Sequence, residues 1–297
     1  MARQRYEFKY RKPPRRRLRL SRVLMFLVLV ALIAYPFYEA YHITIDEHAA
    51  RFTDLPANLK NIRVVFVSDI HEGALFPHSR VVELVKTING MSPDIVLFGG
   101  DYADDSDGAI AFFEHLPTVQ ARLGVFGVAG NHDRTLPESN LSKLMTAMTD
   151  AGVMPLVNTV ARVKVGGSAL YIAGSDDFTC GHYDVDTIAA QVSSDDFVIF
   201  LGHDPDLLTA AFAAKGSDGD NHWFDMALFG HTHGGQLRIF GEPLIRSSIP
   251  IIGKRYLSGW LEENRASILI SNGIGAAGFP VRLFTPPQIH LITLKSK

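Results

Sequence analysis

Apolar residues follow three different rhythms along this chain. Residues 23–38 (VLMFLVLVALIAYPFY) form an uncharged run of sixteen. It predicts one membrane-spanning helix, slightly under the ~17–25 residues usual for a span. Arg19 and Arg22 can snorkel at one end, while Tyr35, Tyr38 and Tyr41 suit the opposite interface. From residue 61 short β-rich runs take over at 62–67, 95–98, 125–129, 197–201 and 226–229, with another strand-like run at 170–173. Between them, Val81, Leu84, Val85 and Ile88 recur at helical spacing and stop at Gly90. Leu141, Leu144, Met145 and Met148 repeat the pattern and stop at Gly152, so each set predicts a helix with one buried face. After Gly235 the helical rhythm is lost, and residues 256–261, 267–270 and 289–293 predict a closing set of antiparallel strands.

Alternating strands and amphipathic helices indicate packed α/β layers, here two sheets flanked by helices: a four-layer α/β/β/α sandwich of mixed sheets behind one transmembrane helix. The expected organisation is a basic arm (1–22), an anchor (23–42), a linker with an edge element (43–60) and one enzyme-sized domain (61–297).

Charge sharpens this division. The formal net charge of -2 hides an asymmetry, because ten of the 29 Lys and Arg residues lie between Arg3 and Arg22, where Glu7 is the only acid. The remainder has 19 bases against 30 acids. A body that acidic argues against a nucleic-acid-tracking surface and disfavours a nuclease. The positive-inside rule keeps the basic arm in the cytoplasm and puts the domain on the far side, which in a bacterium is the periplasmic or exterior face of the inner membrane. A cleaved signal peptide competes with the anchor reading, but Tyr, Pro, Phe and Glu crowd the region where small residues are needed. Arg15, Arg16 and Arg17 only weakly match a twin-arginine signal. The single cysteine, Cys180, cannot form an intramolecular disulfide and leaves the compartment open.

Each strong strand run ends in residues able to bind metal, usually after glycine. Residues 62–67 lead into Asp69 and His71, and 95–98 into Gly99, Gly100 and Asp101. Residues 125–129 lead into Gly130, Asn131, His132 and Asp133, 197–201 into Gly202 and His203, and 226–229 into Gly230, His231 and His233. Ligands in α/β folds bind beyond the carboxyl ends of strands. Two carboxylates, four imidazoles and an amide suffice for two adjacent five- or six-coordinate ions.

As they stand here, the elements DxH, GDxxD, GNHD, GH and GHTHGG resemble the signature set of the calcineurin-like metallophosphoesterase superfamily, from about residue 61 onward. The resemblance implies that Asp69, His71 and His233 hold one divalent ion, that Asn131, His203 and His231 hold the other, and that Asp101 bridges both. Mn2+ is the first expectation, and Fe2+ or Zn2+ also fit a donor set without thiolate. Such a pair, ~3.5–4 Å apart, lowers the pKa of a shared water so that hydroxide attacks phosphorus in line. His132 is the expected proton donor to the leaving oxygen, with Asp104 resembling the carboxylate that pairs with this imidazole. Asp133 is expected to brace the loop.

Departures narrow the reaction. Asp105 stands where Ser/Thr phosphatases of the superfamily carry Arg, which points away from phosphoproteins towards phosphodiester or pyrophosphate bonds. The membrane segment, Gln236 after the last motif, and a tail with Asn272, Gly273, Ile274, Gly275, Arg282, Pro286 and Pro287 resemble a bacterial membrane-anchored subgroup, although Gln288 replaces its frequent Glu. A site tethered to a bilayer suggests a lipid-linked or headgroup ester. UDP-2,3-diacylglucosamine hydrolases of lipid A synthesis belong to the superfamily, but their substrate lies on the cytoplasmic leaflet while the charge rule exports this domain. A non-catalytic binding module on the same scaffold is the alternative of another class, and no motif ligand is missing to favour it. No protein partner is predicted. His115, His182, His222 and His290 lie outside the motifs and read as surface or core residues. Asp176 and Asp177 either line the pocket or serve a turn, and residues 245–252 either rest on the bilayer or plug a strand edge.

Overall fold

Most of the short apolar runs bounded by glycine become strands, and each amphipathic run becomes a helix. The computed structural model describes residues 15–135, 138–245 and 249–297. Residues 1–14 of the basic arm and Arg246 within the 245–252 stretch lie outside the described residues. The elements begin with α1 (Arg15–Tyr41), β1 (Thr44–Phe52), β2 (Arg63–Val67), α2 (His78–Gly90), β3 (Ile95–Phe98), α3 (Ser106–His115), β4 (Gly124–Gly127), α4 (Glu138–Asp150) and β5 (Met154–Pro155). They continue with β6 (Thr159–Val165), β7 (Ser168–Gly174), α5 (Val185–Ala189), β8 (Phe197–Leu201), α6 (Leu208–Ala213), β9 (Met226–Phe229), β10 (Arg238–Ile239), β11 (Glu242–Pro243), β12 (Gly259–Glu263), β13 (Ala266–Ile270) and β14 (Gln288–Ser296).

Two mixed six-stranded sheets face each other, ordered β1-β14-β2-β3-β4-β5 and β12-β13-β9-β8-β7-β6. The period of two along a strand divides its side chains between layers. Val64 and Phe66 of β2 join Leu97, Ile172, Ile199 and Leu228 between the sheets. Val65 and Val67 turn the other way, to Leu84, Ile88, Phe112 and Leu144 on α2, α3 and α4. The second sheet packs its outer face on α5 and α6 through Val198, Phe200, Ile188 and Leu208. With both faces covered, the central strands read as continuous apolar runs. The four layers match the architecture expected from the sequence.

The predicted closing set of antiparallel strands is corrected. β13 pairs parallel with β9 and antiparallel with β12 in one sheet. β14 enters the other sheet, parallel to β1 and antiparallel to β2. The run at 256–261 starts its strand only at Gly259, because Lys254–Tyr256 forms a 3-10 turn. The edge element expected within 43–60 is the nine-residue β1. Within α1, Leu20–Tyr41 (22 residues, mean hydropathy 2.2) is long and apolar enough to cross a membrane, and none of its apolar window is buried in the protein.

Candidate metal centre

The parallel strands β2, β3, β8 and β9 deliver their carboxyl ends to one rim, and the backbone there is bent to aim side chains inward. Asp69, His71, Asp101, His231 and His233 all adopt positive φ, between 50° and 68°. This conformation costs non-glycine residues of order 1–3 kcal/mol each and concentrates at functional sites. Glycine makes the close approach possible. A Cβ on Gly130 would lie 2.3 Å from Asp101 Oδ1, and one on Gly230 would lie 2.3 Å from Asp69 Oδ2.

Two donor groups result. Asp69, His71 and His233 each offer one ligand atom within 4.8 Å of the others, as do Asp101, His203 and His231. In the first group His71 Nε2 is 3.2 Å from His233 Nε2, which is 3.6 Å from Asp69 Oδ1. In the second, His203 Nε2 is 3.2 Å from Asp101 Oδ2 and 3.3 Å from His231 Nδ1, which is 2.9 Å from Asn131 Oδ1. The groups meet at Asp101, whose Oδ2 is also 3.7 Å from His71 Nε2. One carboxylate oxygen thus stands between an imidazole of each set. All seven residues singled out as ligands from the sequence converge.

The buried carboxylates draw positive charge to the site. Burial lowers the pKa of His203, but the charge of Asp101 and its hydrogen bond outweigh this and hold it well above the usual value. His71 is raised for similar reasons, by its bond to Asp104 and the charges of Asp101 and Asp69 against burial. His233 goes well below, through burial and the charges of His71 and Arg282, which keeps it in the neutral form that can offer a lone pair. The oxygen and nitrogen donors, with Asp69 and Asp101 buried among them, would accept two such ions.

Surrounding contacts fix the donors. Asp133 Oδ2 accepts from the main-chain N–H of Asp101 (2.7 Å) and Gly130 (2.8 Å), and Oδ1 accepts from Tyr102 N–H (3.0 Å), so it braces both loops. Burial and the Asp101 charge push its carboxyl up to about 7 despite those donors. The expected pairing of Asp104 with His132 is corrected. The Asp104 carboxylate accepts from His71 Nδ1 at 3.1 Å, and only its main-chain carbonyl faces His132 Nδ1, at 2.9 Å. The cause is backbone register: Glu72 and Ala103 form a parallel bridge, with Glu72 N–H on Tyr102 O, which brings Asp104 alongside His71. His132 itself lies at the rim, edge-on to His71 with ring centroids 4.9 Å apart.

Sequence reasoning gave no role to Arg282 or Asp204. Arg282 is fully buried, donates to the carbonyls of Asn272 (2.7 Å) and Thr285 (2.9 Å) and to Gly275, and reaches His233 Nδ1 at 3.3 Å. Asp204 Oδ2 stands 3.6 Å from His231 Nε2. An arginine in a glycine- and proline-rich tail was the available signal, but nothing local said what it would meet. Asp176 and Asp177 serve the turn: Asp177 Oδ1 accepts from Thr179 and Cys180 N–H, and Asp176 holds His182 N–H and Arg134. The buried Arg134–Asp176 pair ties the loop carrying Asn131 to the end of β7. Asp105 caps α3 through Gly108 N–H. His290 is a satisfied core residue on Asp46 and Ser271. Ile251 and Ile252 donate their N–H groups to Asp206.

The family model for calcineurin-like phosphoesterases matches residues 62–235, which span the rim from β2 to the second donor histidine of the last motif. The chain belongs to the calcineurin-like phosphoesterases. Among its relatives is the metallophosphoesterase YkuE of Bacillus subtilis (strain 168), 29% identical, with 88% of each chain covered. The phosphodiesterase YaeI of Escherichia coli (strain K12) is 27% identical over 80% of this chain and 83% of its own. A zebrafish (Danio rerio) protein described as a transmembrane protein with metallophosphoesterase domain is 28% identical over 81% of this chain, which spans 55% of that protein's length.

Proposed function

We propose that the chain is a dinuclear phosphoesterase that hydrolyses a phosphodiester or pyrophosphate bond of a lipid-linked or headgroup substrate. The observation that carries this reading is the Asp101 carboxylate oxygen between His203 Nε2 and His71 Nε2, at 3.2 and 3.7 Å. A carboxylate shared by two imidazole-rich groups suits two cations better than one. Asp69, His71, His233 and Asp101 would hold one ion, and Asn131, His203, His231 and Asp101 the other, with Mn2+ the first choice. When bound, such ions supply a nucleophile at neutral pH and draw charge from the phosphoryl oxygens.

The chain's own groups do the rest. His132, half-buried at the rim with Nδ1 on the Asp104 carbonyl, has its other nitrogen left to deliver a proton to the leaving oxygen. Asp104 fixes the orientation of His71 by accepting from Nδ1, the partner that sets a ligating imidazole's tautomer. Asp133 holds the Asp101 and Gly130 main chains so that the shared carboxylate cannot drift. Diester cleavage is supported by the similarity to a protein named a phosphodiesterase. Anchoring is supported by the apolar helix and by the transmembrane relative. Orientation with the domain outside the inner membrane rests on the basic arm.

The test is turnover of bis-p-nitrophenyl phosphate by the purified full chain with Mn2+. Asp101→Ala is expected to abolish turnover and bind less metal, whereas His132→Ala keeps its metal and loses ~10²–10⁴-fold in rate, the usual worth of a general acid. Full turnover by Asp101→Ala would overturn the reading.

A further inference from the structure

Several of the large apolar side chains left exposed on the domain are tied to the anchor, although Ile251 (84%) and Met154 (52%) are exposed elsewhere. Phe240 is 100% exposed, Phe279 78%, Phe284 65% and Leu244 56%. Phe240 lies at the turn of the β10–β11 hairpin, and Leu244 directly follows β11. The hairpin is stitched to the loop carrying Phe284: Arg238 N–H donates to Leu283 O, and Leu283 N–H to Gln236 O, both at 2.9 Å. That loop is in turn fastened to α1. Arg282 N–H donates to Pro36 O at 2.9 Å, Thr285 N–H to Glu39 Oε1 at 2.6 Å, and the Phe284 ring lies 6.5 Å from that of Tyr35.

Length fixes what level of the bilayer this is. At about 1.5 Å per residue, Pro36 lies about 24 Å along the helix from Leu20, inside a hydrocarbon core of about 30 Å. The uncharged run of sixteen residues spans only about 24 Å, so the span is short and draws its flank towards the core. Whatever is fastened at Tyr35 and Pro36 is therefore drawn in with it. At the next level Arg80 closes the helix, donating to Tyr41 O at 3.0 Å with its guanidinium over the rings of Tyr41 and Phe76, as suits a headgroup-level cation.

We propose that the β10–β11 hairpin and the 279–284 loop insert their aromatic tips into the same leaflet as the end of α1, so that the domain lies on the lipid surface. The occupant of this apolar face is the bilayer, and the argument is its continuity with the span. The proposal rests on α1 crossing the membrane. Inserted tips make a second attachment next to the span, and two attachments hold a domain against a bilayer where one leaves it free to swing.

The test uses the full chain in vesicles of phosphatidylcholine and phosphatidylglycerol containing doxyl-labelled lipid. In a Cys180→Ser background, a bimane fluorophore is placed singly by Phe240→Cys, Phe284→Cys, Val28→Cys in mid-span, or Lys164→Cys on exposed β6. The proposal expects quenching at 240 and 284 to exceed that at 164 by about threefold or more, as for side chains buried roughly 5–10 Å into the interface. Quenching at 240 and 284 equal to that at 164, with Val28 still quenched, would overturn the docking surface and leave the anchor standing. Loss of quenching at Val28 as well would overturn the anchor and the proposal with it. Disulfide-linked dimers through unlabelled Phe240→Cys, with no lipid quenching, would give the face to a second copy of the chain and overturn the proposal too.

Discussion

Replacing Gly130 by alanine probes the site with a single methyl group. Its Cβ would lie 2.3 Å from Asp101 Oδ1, 2.8 Å from Asp101 N and 2.8 Å from His203 Cε1, all well inside ordinary contact. The Asp101 main chain cannot retreat, because its N–H is held by Asp133 at 2.7 Å. Its carboxylate must therefore swing by about 1 Å, a displacement that elsewhere costs on the order of 10²-fold in rate. The same swing breaks the 2.9 Å bond from His132 N–H to Asp101 Oδ1. Overpacking of this kind costs about 1–3 kcal/mol of stability, too little to unfold a domain with two covered sheets. The expected result is a chain that melts cooperatively at a slightly lower temperature, binds less than its full complement of metal by elemental analysis, and loses about 10²-fold in kcat/KM on bis-p-nitrophenyl phosphate. Gly90→Ala, whose Cβ would meet nothing within 4 Å, is the matched control and should leave metal content and activity unchanged. Full metal content together with full activity in Gly130→Ala would refute the argument that Asp101 is held in place by this close approach.

Two further variants test the frame around the site. Arg282→Met leaves the carbonyls of Asn272, Gly275 and Thr285 without their buried donor and should cost on the order of 1–3 kcal/mol in urea unfolding; an unchanged stability would refute the bracing role of the guanidinium. Arg282→Lys should recover only part, since a point charge cannot span the acceptors that the forked guanidinium reaches. Asp225 is pushed up to about 7 mainly by burial, against the donated Val198 N–H. The folded chain therefore keeps a proton that the unfolded chain releases near the ordinary value of about 3.9. Stability from this group is full below about pH 4 and is lost as pH rises to about 7. Asp225→Asn should thus gain on the parent chain by on the order of 1–3 kcal/mol between pH 5 and 8, and a constant difference across that range would refute the assignment.

The seven donors were readable because three independent signals coincide on them. The strands are apolar on both faces, glycine marks the ends of all but β2, and the residues just beyond those ends can bind metal. β3, β8 and β9 were bounded to the residue because both sheet faces are covered, which leaves no polar position to blur the run. β13 and β14 were recognised as strands but wrongly grouped as one antiparallel set, since an apolar run fixes which residues are buried and says nothing about the neighbour. Asp104 was matched to the wrong imidazole because the bridge between Glu72 and Ala103 joins segments 31 residues apart, and no local pattern encodes that register. Arg282 escaped for a related reason: its partners are carbonyls, which every residue type carries. Asp176 and Asp177 resolved as turn residues only once the N–H groups of Thr179, Cys180 and His182 were seen to fold back on them.

The location of β14 between β1 and β2 has a consequence for how the molecule comes into being. During translation α1 is made early, and β1 and β2 follow within a few dozen residues. Neither can satisfy its facing edge until a segment more than 200 residues further on slides in between them. The ribosome must therefore deliver nearly the whole domain while two strand edges stay open, a state that favours slow folding and calls for protection from aggregation.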